Sequence, residues 1–254
     1  MSERHPHPKR TALAPPTRRA GLIAKRALDL ALAGGALLAL APLLAVVALA
    51  VWATEGSPIL FRQVRPGRDA RMFTLLKFRS MRAPEPGEIW FTTSEQRLSP
   101  FGRFLRTTSL DELPELWNVL VGDMSLVGPR PLLPEYLSEY TPDEQRRHAV
   151  RPGLTGWAVV NGRNTLPFRE RLRLDVWYVD HWSLGLDLRI LALTAWQVVR
   201  RTGTSPTEDS AALGFPLARL AAGTAPTPVQ PADASHTHCD NPDLGGPGLP
   251  GAPP

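Results

Sequence analysis

The residues best suited to chemistry lie in residues 107–118, where two adjacent carboxylates precede a proline. Ser109 and Glu112 have the spacing of a capping box, in which the glutamate only satisfies a helix end. Pro114 disfavours that interpretation, because proline is best placed at the first position of a helix. A helix beginning near Pro114 leaves Asp111 and Glu112 just before its positive end, where both stay ionised. An ionised aspartate can attack phosphorus and a glutamate can hold a divalent cation, so both interpretations stay open.

Three further motifs place basic side chains in turns shaped by glycine and proline. They are KFRSM with Lys77 and Arg79, GPRP with Arg130, and RPGLTGW with Arg151. Arginine forks and backbone N–H groups in such turns bind phosphate oxygens well. Each motif alone is compatible with an ordinary surface charge. Together with the carboxylate pair, they indicate a pyrophosphate site with a metal ion.

The composition limits the kinds of site and partner. The 254 residues include a single cysteine, Cys239, which excludes a disulfide framework and a multi-cysteine metal centre. Hydrophobic residues make up 43% of the chain and charged residues 21%, which excludes a wholly disordered protein. The net charge of +5 at pH 7 indicates an anionic partner: nucleic acid, a membrane surface or a phosphorylated substrate.

Both ends of the chain have the composition of flexible segments. Residues 1–21 combine basic side chains with several prolines, and we expect a flexible arm with no helix before about Ala20. Residues 203–254 contain ten prolines and seven glycines, a composition that cannot bury enough apolar surface to fold. His236, His238 and Cys239 lie in this tail, and we assign them no chemistry.

Residues 30–53 contain no charged side chain, and about 20 such residues cross a bilayer core as a helix. This run is too long, and begins too late, for a cleaved signal peptide. Both of its flanks are basic, so the positive-inside rule assigns both to the cytoplasm. Pro42, near the middle, removes one backbone hydrogen bond and can bend the helix. We therefore predict that residues 22–55 form a re-entrant membrane helix.

Residues 56–202 are predicted to form one compact α+β domain, mostly helical with short strands. Strands are expected over residues 57–61 and 72–78, with a turn at residues 65–67. Helices are expected over residues 100–106 and 114–121, within residues 134–148 and 168–181, and over residues 187–201. The last of these is apolar with arginines at both ends, which suits the membrane interface as well as a protein core.

The motifs KFRSM, SLDELPELWNVLVGDMSLVGPRP, RPGLTGW and NGRN follow one another after the apolar segment and resemble the bacterial sugar transferase family. Its members are monotopic phosphoglycosyl transferases, also described as undecaprenyl-phosphate sugar phosphotransferases. The resemblance covers about residues 22–201 and implies the small type, without a four-helix membrane extension. It implies transfer of a phosphosugar from a UDP-sugar to polyprenyl (undecaprenyl) phosphate, with release of UMP. The implied location is the bacterial inner membrane, with the catalytic domain on its cytoplasmic face.

The resemblance also implies roles for individual residues. Asp111 matches the nucleophile that forms a covalent phosphosugar intermediate, and Glu112 matches a residue that helps to bind Mg²⁺. Lys77 matches the lysine that offsets phosphate charge. The implied residues that bind substrate or phosphate are Arg79, Arg130, Arg151 and Asp175. Many members have Ser-Pro at the membrane bend, whereas this chain has Ala41-Pro42, without a hydroxyl to bond the freed carbonyl.

Two alternative functions are compatible with part of the pattern. A membrane-tethered protein could bind anionic lipid or nucleic acid through its basic surface. No nucleic-acid motif is recognisable, however, so we expect no nucleic-acid partner. An inactive scaffold of a polysaccharide assembly complex could keep the same fold, but the presence of Lys77, Asp111 and Glu112 together argues against it. We therefore expect an enzyme of bacterial polysaccharide or glycoconjugate assembly.

Overall fold

A computed structural model describes residues 16–82, 97–162 and 166–200. Within these residues helices dominate and the strands are short, which confirms the expected mostly helical α+β class. Most of the predicted arm and the whole predicted tail lie outside the described residues. Arg163 and Asn164, the last two residues of the NGRN motif, also lie outside them.

The apolar N-terminal segment folds as two helices, α1 (Pro16–Ala39) and α2 (Ala41–Glu55), with a bend of 63° between them. Pro42 explains the bend, because it has no N–H to donate into the preceding turn. In the described part of the chain no helix alone is long and apolar enough to cross a bilayer, but this bent pair together meets the length and composition required. Helix α1 begins before the predicted Ala20, because Pro16 occupies its first position, where a missing N–H costs nothing.

An antiparallel hairpin follows, formed by β1 (Leu60–Pro66) and β2 (Met72–Phe78). Strand β2 has its predicted bounds. The prediction for β1 is wrong, because this strand begins three residues later than expected and continues pairing through the predicted turn, with Arg65 opposite Phe73. The chain reverses instead at residues 67–71, where Asp69 and Ala70 have left-handed backbone conformations.

The remaining helices and strands, in chain order, are α3 (Pro100–Thr107), α4 (Glu115–Val121), β3 (Ser125–Val127), α5 (Pro142–Gln145), β4 (Gly153–Thr155), α6 (Trp157–Val160), α7 (Phe168–His181) and α8 (Leu184–Arg200). Helices α3, α4, α7 and α8 match the predicted helices to within three residues. The helix predicted within residues 134–148 is the short α5, and 3-10 turns occupy the stretches on both sides of it. Pro142 cannot continue a preceding helix, and Thr141 starts a new one through a capping box with Glu144.

Strands β3 and β4 are parallel and bring the GPRP and RPGLTGW motifs together backbone to backbone. The Gly128 N–H donates to the Thr155 carbonyl (2.9 Å), and the Gly153 N–H donates to the Pro129 carbonyl (3.0 Å). A Cβ atom at Gly153 would lie 2.0 Å from the Gly128 nitrogen, and one at Gly156 would lie 2.2 Å from the Gly128 oxygen. Only glycine permits this approach, so the two motifs are fixed against each other.

Both helices of the bent pair contribute to the core of the domain. Ala33 of α1 packs in one cluster with Val119 of α4 and Ile190 of α8, and all three are fully buried. Val51 of α2 is equally buried and packs in a second cluster with Phe78 of β2. The bent pair therefore has one face within the domain, whereas many of its other apolar side chains are exposed.

A buried ion pair joins α1 to α7 and α8. The Lys25 ammonium donates to the Asp187 carboxylate (2.7 Å) and to the Val127 carbonyl (3.0 Å). The same carboxylate accepts from the Tyr178 hydroxyl (2.7 Å) and the Trp182 indole N–H (3.1 Å). Asp187 is only 1% exposed, so these donors replace the water that its charge has lost. The position of α1 relative to the domain therefore depends on this carboxylate.

We expect Asp187→Ala to lower the free energy of unfolding by about 3–5 kcal/mol, because it leaves the Lys25 ammonium without its counter-charge. Denaturant unfolding of the detergent-solubilised protein measures the change. Asp180→Ala is the matched control, since Asp180 pairs with the exposed Arg146 and its loss should cost no more than about 1 kcal/mol. Equal losses in the two variants would contradict the importance of the buried pair.

Candidate active site

The predicted carboxylate pair lies in a short turn between α3 and α4. Residues 110–112 form one turn of 3-10 helix, in which Asp111 is 6% and Glu112 9% exposed. Ser109 has a left-handed φ of 55°, and its side chain makes no capping hydrogen bond to this turn. The capping-box interpretation is therefore wrong, and the Glu112 carboxylate is directed to other partners.

Two of the predicted cations bind Glu112. The Lys77 ammonium donates to Glu112 Oε1 at 3.0 Å, and the Arg130 guanidinium donates to the same oxygen. Lys77 Nζ also lies 3.4 Å from Oε1 of Glu115, a residue that is 2% exposed. The structure thus brings Lys77 and Arg130 together on Glu112, and Asp111 precedes Glu112 in the same turn. It adds Glu115, which the sequence analysis missed.

Three buried carboxylates lie within five residues of the chain: Asp111, Glu112 and Glu115. Lys77 contacts both glutamates, and Arg130 contacts Glu112. Neighbouring carboxylates repel one another strongly when they are buried. Their oxygens suit a divalent cation such as Mg²⁺, which commonly takes one or two carboxylates and completes its shell with water and phosphate oxygens. Among the described residues, no group of three or more His, Cys, Asp or Glu side chains is arranged to hold a metal by itself.

Asn118 fixes the helix that carries Glu115 to the strand that carries Lys77. Its amide nitrogen donates to the Thr74 carbonyl (2.8 Å), and its amide oxygen accepts from the Leu76 N–H (3.1 Å). Asn118 is 2% exposed. Its amide satisfies backbone groups of β2 in the way that a neighbouring strand would. The sequence analysis missed this residue, and its one signal was a polar side chain on the buried face of α4.

A second buried ion pair fixes the backbone of the loop that carries Arg130. Arg147 donates to the Arg130 carbonyl (2.6 Å), and Arg65 donates to the Pro131 carbonyl (3.3 Å). Arg147 also donates twice to Asp175, at 2.7 and 3.1 Å, and both partners are 2% exposed. Burial raises the pKa of Asp175, against the opposing charge of Arg147. The structure therefore connects Asp175 to the Arg130 loop through Arg147, and it does not pair Asp175 with Glu112.

The other two arginines predicted to bind phosphate donate to backbone carbonyls. Arg79 donates to the Ser57 carbonyl (2.9 Å), just beyond the end of α2. Arg151 donates to the Gly122 carbonyl (2.8 Å) at the C-terminal end of α4, whereas the carboxylate pair precedes the N-terminal end. The seven residues of α4 span about 10 Å, so this helix separates Arg151 from the pair.

His148 lies under the same Arg130 loop. It is 8% exposed, its Nδ1 is 3.2 Å from the Gly67 carbonyl oxygen, and it lines a small crevice with Pro129 and Pro131. Burial, together with the neighbouring charge of Arg147, lowers the pKa of His148 from 6.5 to about 4. The imidazole is therefore neutral at pH 7 and donates from Nδ1 to the Gly67 carbonyl.

The lowered pKa of His148 predicts a loss of stability in acid. Between about pH 6.5 and pH 4 the unfolded chain binds one more proton than the folded chain, so the free energy of unfolding falls as the pH falls. The expected loss from this residue is about 2 kcal/mol between pH 7 and pH 5. His148→Asn keeps a donor for Gly67 and should remove most of this pH dependence in denaturant unfolding. His181→Asn, at an exposed position, should retain it, and an unchanged pH dependence in His148→Asn would contradict the assignment.

A model of the bacterial sugar transferase family matches residues 20–201, which include all the site residues named above. The chain is 51% identical over 160 residues to the sugar transferase EpsL of Bacillus subtilis (strain 168). The matched residues make up 63% of this chain and 79% of that protein. It is 42% identical over 189 residues to the UDP-glucose:undecaprenyl-phosphate glucose-1-phosphate transferase of Xanthomonas campestris pv. campestris. It is 40% identical over 166 residues to the undecaprenyl-phosphate galactose phosphotransferase of Salmonella typhimurium. These two matches cover 70% and 59% of this chain, but only 39% and 35% of the relatives.

Proposed function

Because the chain belongs to the bacterial sugar transferase family, as its motifs predicted, we propose that it transfers a phosphosugar from a UDP-sugar to polyprenyl (undecaprenyl) phosphate and releases UMP. The observation that carries this proposal is the buried pair Asp111 and Glu112, with Lys77 and Arg130 bound to Glu112. Two relatives are named for transfers of glucose and galactose phosphates to the same lipid. Their names favour a hexose donor and a place in bacterial polysaccharide or glycoconjugate assembly.

The proposed reaction consists of two displacements at one phosphorus atom. In the first, a carboxylate oxygen of Asp111 attacks the phosphorus that bears the sugar. The bond from that phosphorus to the bridging oxygen breaks, and its electron pair leaves with UMP. In the second, a phosphate oxygen of the lipid attacks the same phosphorus, the bond to Asp111 breaks and the carboxylate is regenerated. Two steps spare the site from binding both anionic substrates at the same time.

The cations of the cluster support this chemistry by their charge and their fixed positions. Lys77 and Arg130 are already held on Glu112, so they need little rearrangement when the substrate binds. Positive charge beside the reacting phosphorus stabilises the negative charge that its oxygens carry during transfer. Glu115 contacts Lys77, and Asn118 fixes the strand on which Lys77 lies.

The same cluster supports a proposal that Glu112 binds Mg²⁺. Asp111, Glu112 and Glu115 are buried within five residues of the chain, and a UDP-sugar adds further negative charge. Glu112 can supply a carboxylate oxygen while substrate phosphates supply others, which is the usual way in which proteins hold this ion. Bound there, Mg²⁺ would stabilise the charge on the departing UMP.

Both substrates can meet only where the lipid phosphate lies, at the headgroup level of the membrane. The bent pair α1–α2 supports a re-entrant insertion, since its apolar residues beside the bend are exposed, Leu38 by 81%. The basic flanks favour the cytoplasmic side of the inner membrane. In α8 the exposed Trp196 packs under the Arg200 guanidinium, at 4.0 Å from the ring centre, which suits the membrane interface.

The proposed reaction is tested by UMP release from purified, detergent-solubilised protein with Mg²⁺, undecaprenyl phosphate and a panel of UDP-sugars that begins with UDP-glucose and UDP-galactose. We expect lipid-dependent release with a particular sugar. Asp111→Asn should lower the rate by about 10⁴-fold or more, because an amide is not a nucleophile toward phosphorus. Asp180→Asn, at an exposed position, should keep the wild-type rate, and both variants should remain bound to membranes.

Transfer at the wild-type rate by Asp111→Asn would contradict the assigned nucleophile. No release across the whole panel, from protein shown to be folded, would contradict the proposed reaction itself.

The proposed metal site predicts that Glu112→Gln raises the Mg²⁺ concentration needed for half-maximal UMP release by about tenfold or more, since it removes an anionic ligand. A titration of the rate against Mg²⁺ measures this change. Glu170→Gln is the control, because Glu170 pairs with the exposed Arg173 and should leave the titration unchanged. A normal Mg²⁺ titration in Glu112→Gln would refute the assigned ligand.

A further inference from the structure

A second group of cations lies at the C-terminal end of α4. The Arg26 guanidinium donates to the carbonyls of Val119 (2.6 Å) and Leu120 (2.9 Å), and Arg151 Nε donates to that of Gly122 (2.8 Å). A Cβ atom at Gly122 would lie 3.3 Å from Arg26 Nη2. Both guanidiniums therefore contact the same turn, where they satisfy carbonyls that a helix end leaves without partners.

Capping the helix uses only a small part of the hydrogen-bonding capacity of Arg151. Its Nε–H donates to Gly122, but its two Nη groups have no hydrogen-bond acceptor among the residues that the structure describes. Arg151 is half-buried. Its Nη atoms are not among the fully buried polar atoms that lack a hydrogen-bond partner, so solvent reaches this fork. A guanidinium fork matches two oxygens of one phosphate. Arg151 is thus held in place through Nε and directs an open fork outward.

The charges around Arg151 also favour an anion. Burial lowers the pKa of Arg151, the charges of Arg26 and Arg68 lower it further, and the carboxylate of Asp29 opposes them. Asp29 already accepts from the Leu126 N–H (3.1 Å), and among the described residues Arg68 has a long, exposed contact of 3.6 Å with the adjacent aspartate. Like charges repel one another, and a phosphate group would offset that repulsion.

The sequence and the exposed side chains place this group where α1 enters its apolar run. Arg26 lies one helical turn before Leu30, at which the run without charged side chains, residues 30–53, begins. Trp117 and Val121, one turn apart on α4, are each 54% exposed, and Val121 directly precedes Gly122. Guanidiniums bordered by an exposed indole and an aliphatic side chain suit a phospholipid headgroup and the first part of its chains.

We propose that Arg151, together with Arg26 and Arg68, binds the phosphate of an anionic membrane phospholipid at a site separate from the active site. This inference rests on the membrane insertion proposed above but not on catalysis. A lipid bound at this end of α4 sets the depth of the helix in the interface. The other end of the same helix follows Asp111 and Glu112, so the bound lipid also sets the depth of the carboxylates.

The test uses the full-length protein in detergent, without UDP-sugar, and follows the Tm as short-chain lipids are added. Dihexanoyl-phosphatidylglycerol should raise the Tm in a concentration-dependent way, and dihexanoyl-phosphatidylcholine should raise it much less. The double variant R68Q/R151Q should need about tenfold more phosphatidylglycerol for the same rise. Arg173→Gln, which removes an exposed arginine of α7, should respond as the wild type does.

Three outcomes would overturn the proposal. The first is an undiminished response in R68Q/R151Q, and the second is an equal rise with inorganic phosphate, which would indicate a general anion site. The third is loss of the response in Arg130→Gln, which would place the lipid in the active site. Arg68→Gln alone leaves every described capping bond of α4 intact, so it tests the site even if the double variant folds poorly. Because no turnover is measured, this result is independent of whether UMP release is observed.

Discussion

The buried carboxylates are the constraint on which the described domain depends. A carboxylate that loses water must gain hydrogen-bond donors or opposite charge, or it will not stay ionised. Glu112 gains both from Lys77 and Arg130, which come from a strand and from a loop far apart in the chain. The strand, the loop and α4 must therefore meet at hydrogen-bond distance. Asn118 holds α4 on the strand, and Arg147 holds the loop, and both side chains are buried.

Helix α4 also connects this cluster to the apolar N-terminal helices. Its N-terminal end follows the carboxylate pair, whereas its C-terminal end accepts hydrogen bonds from Arg26 of α1. Lys25, the preceding residue on α1, is paired with the buried Asp187 of α8. A shift of α1 would therefore have to break two sets of hydrogen bonds or carry α4 with it. For an enzyme proposed to act on a lipid phosphate, this connection makes the depth of the bent pair in the membrane determine the depth of the nucleophile.

Sequence patterns predicted the structure well where the signal is local. Pro42 indicated the bend between the first two helices, and a capping residue before a proline indicated α3. The carboxylate pair was located by the position of a proline, and the family was identified from the order of its motifs. The contacts of Glu115, Asn118 and Arg147 could not be predicted in this way, because each depends on a partner more than 25 residues distant. The position of Arg151 could not be predicted for the same reason: its motif indicates a phosphate-binding turn but not the end of α4 at which that turn packs.

The central claim, that Asp111 carries the phosphosugar between the two substrates, is tested most directly by intact-mass spectrometry of the full-length protein. The protein is incubated with Mg²⁺ and its UDP-sugar in the absence of lipid acceptor. We expect an adduct with the mass of one sugar phosphate, together with one equivalent of UMP per protein molecule. The adduct should disappear when undecaprenyl phosphate is added, and it should not form on Asp111→Asn. UMP release that occurs only when the acceptor is present, with no adduct at any time, would contradict the claim.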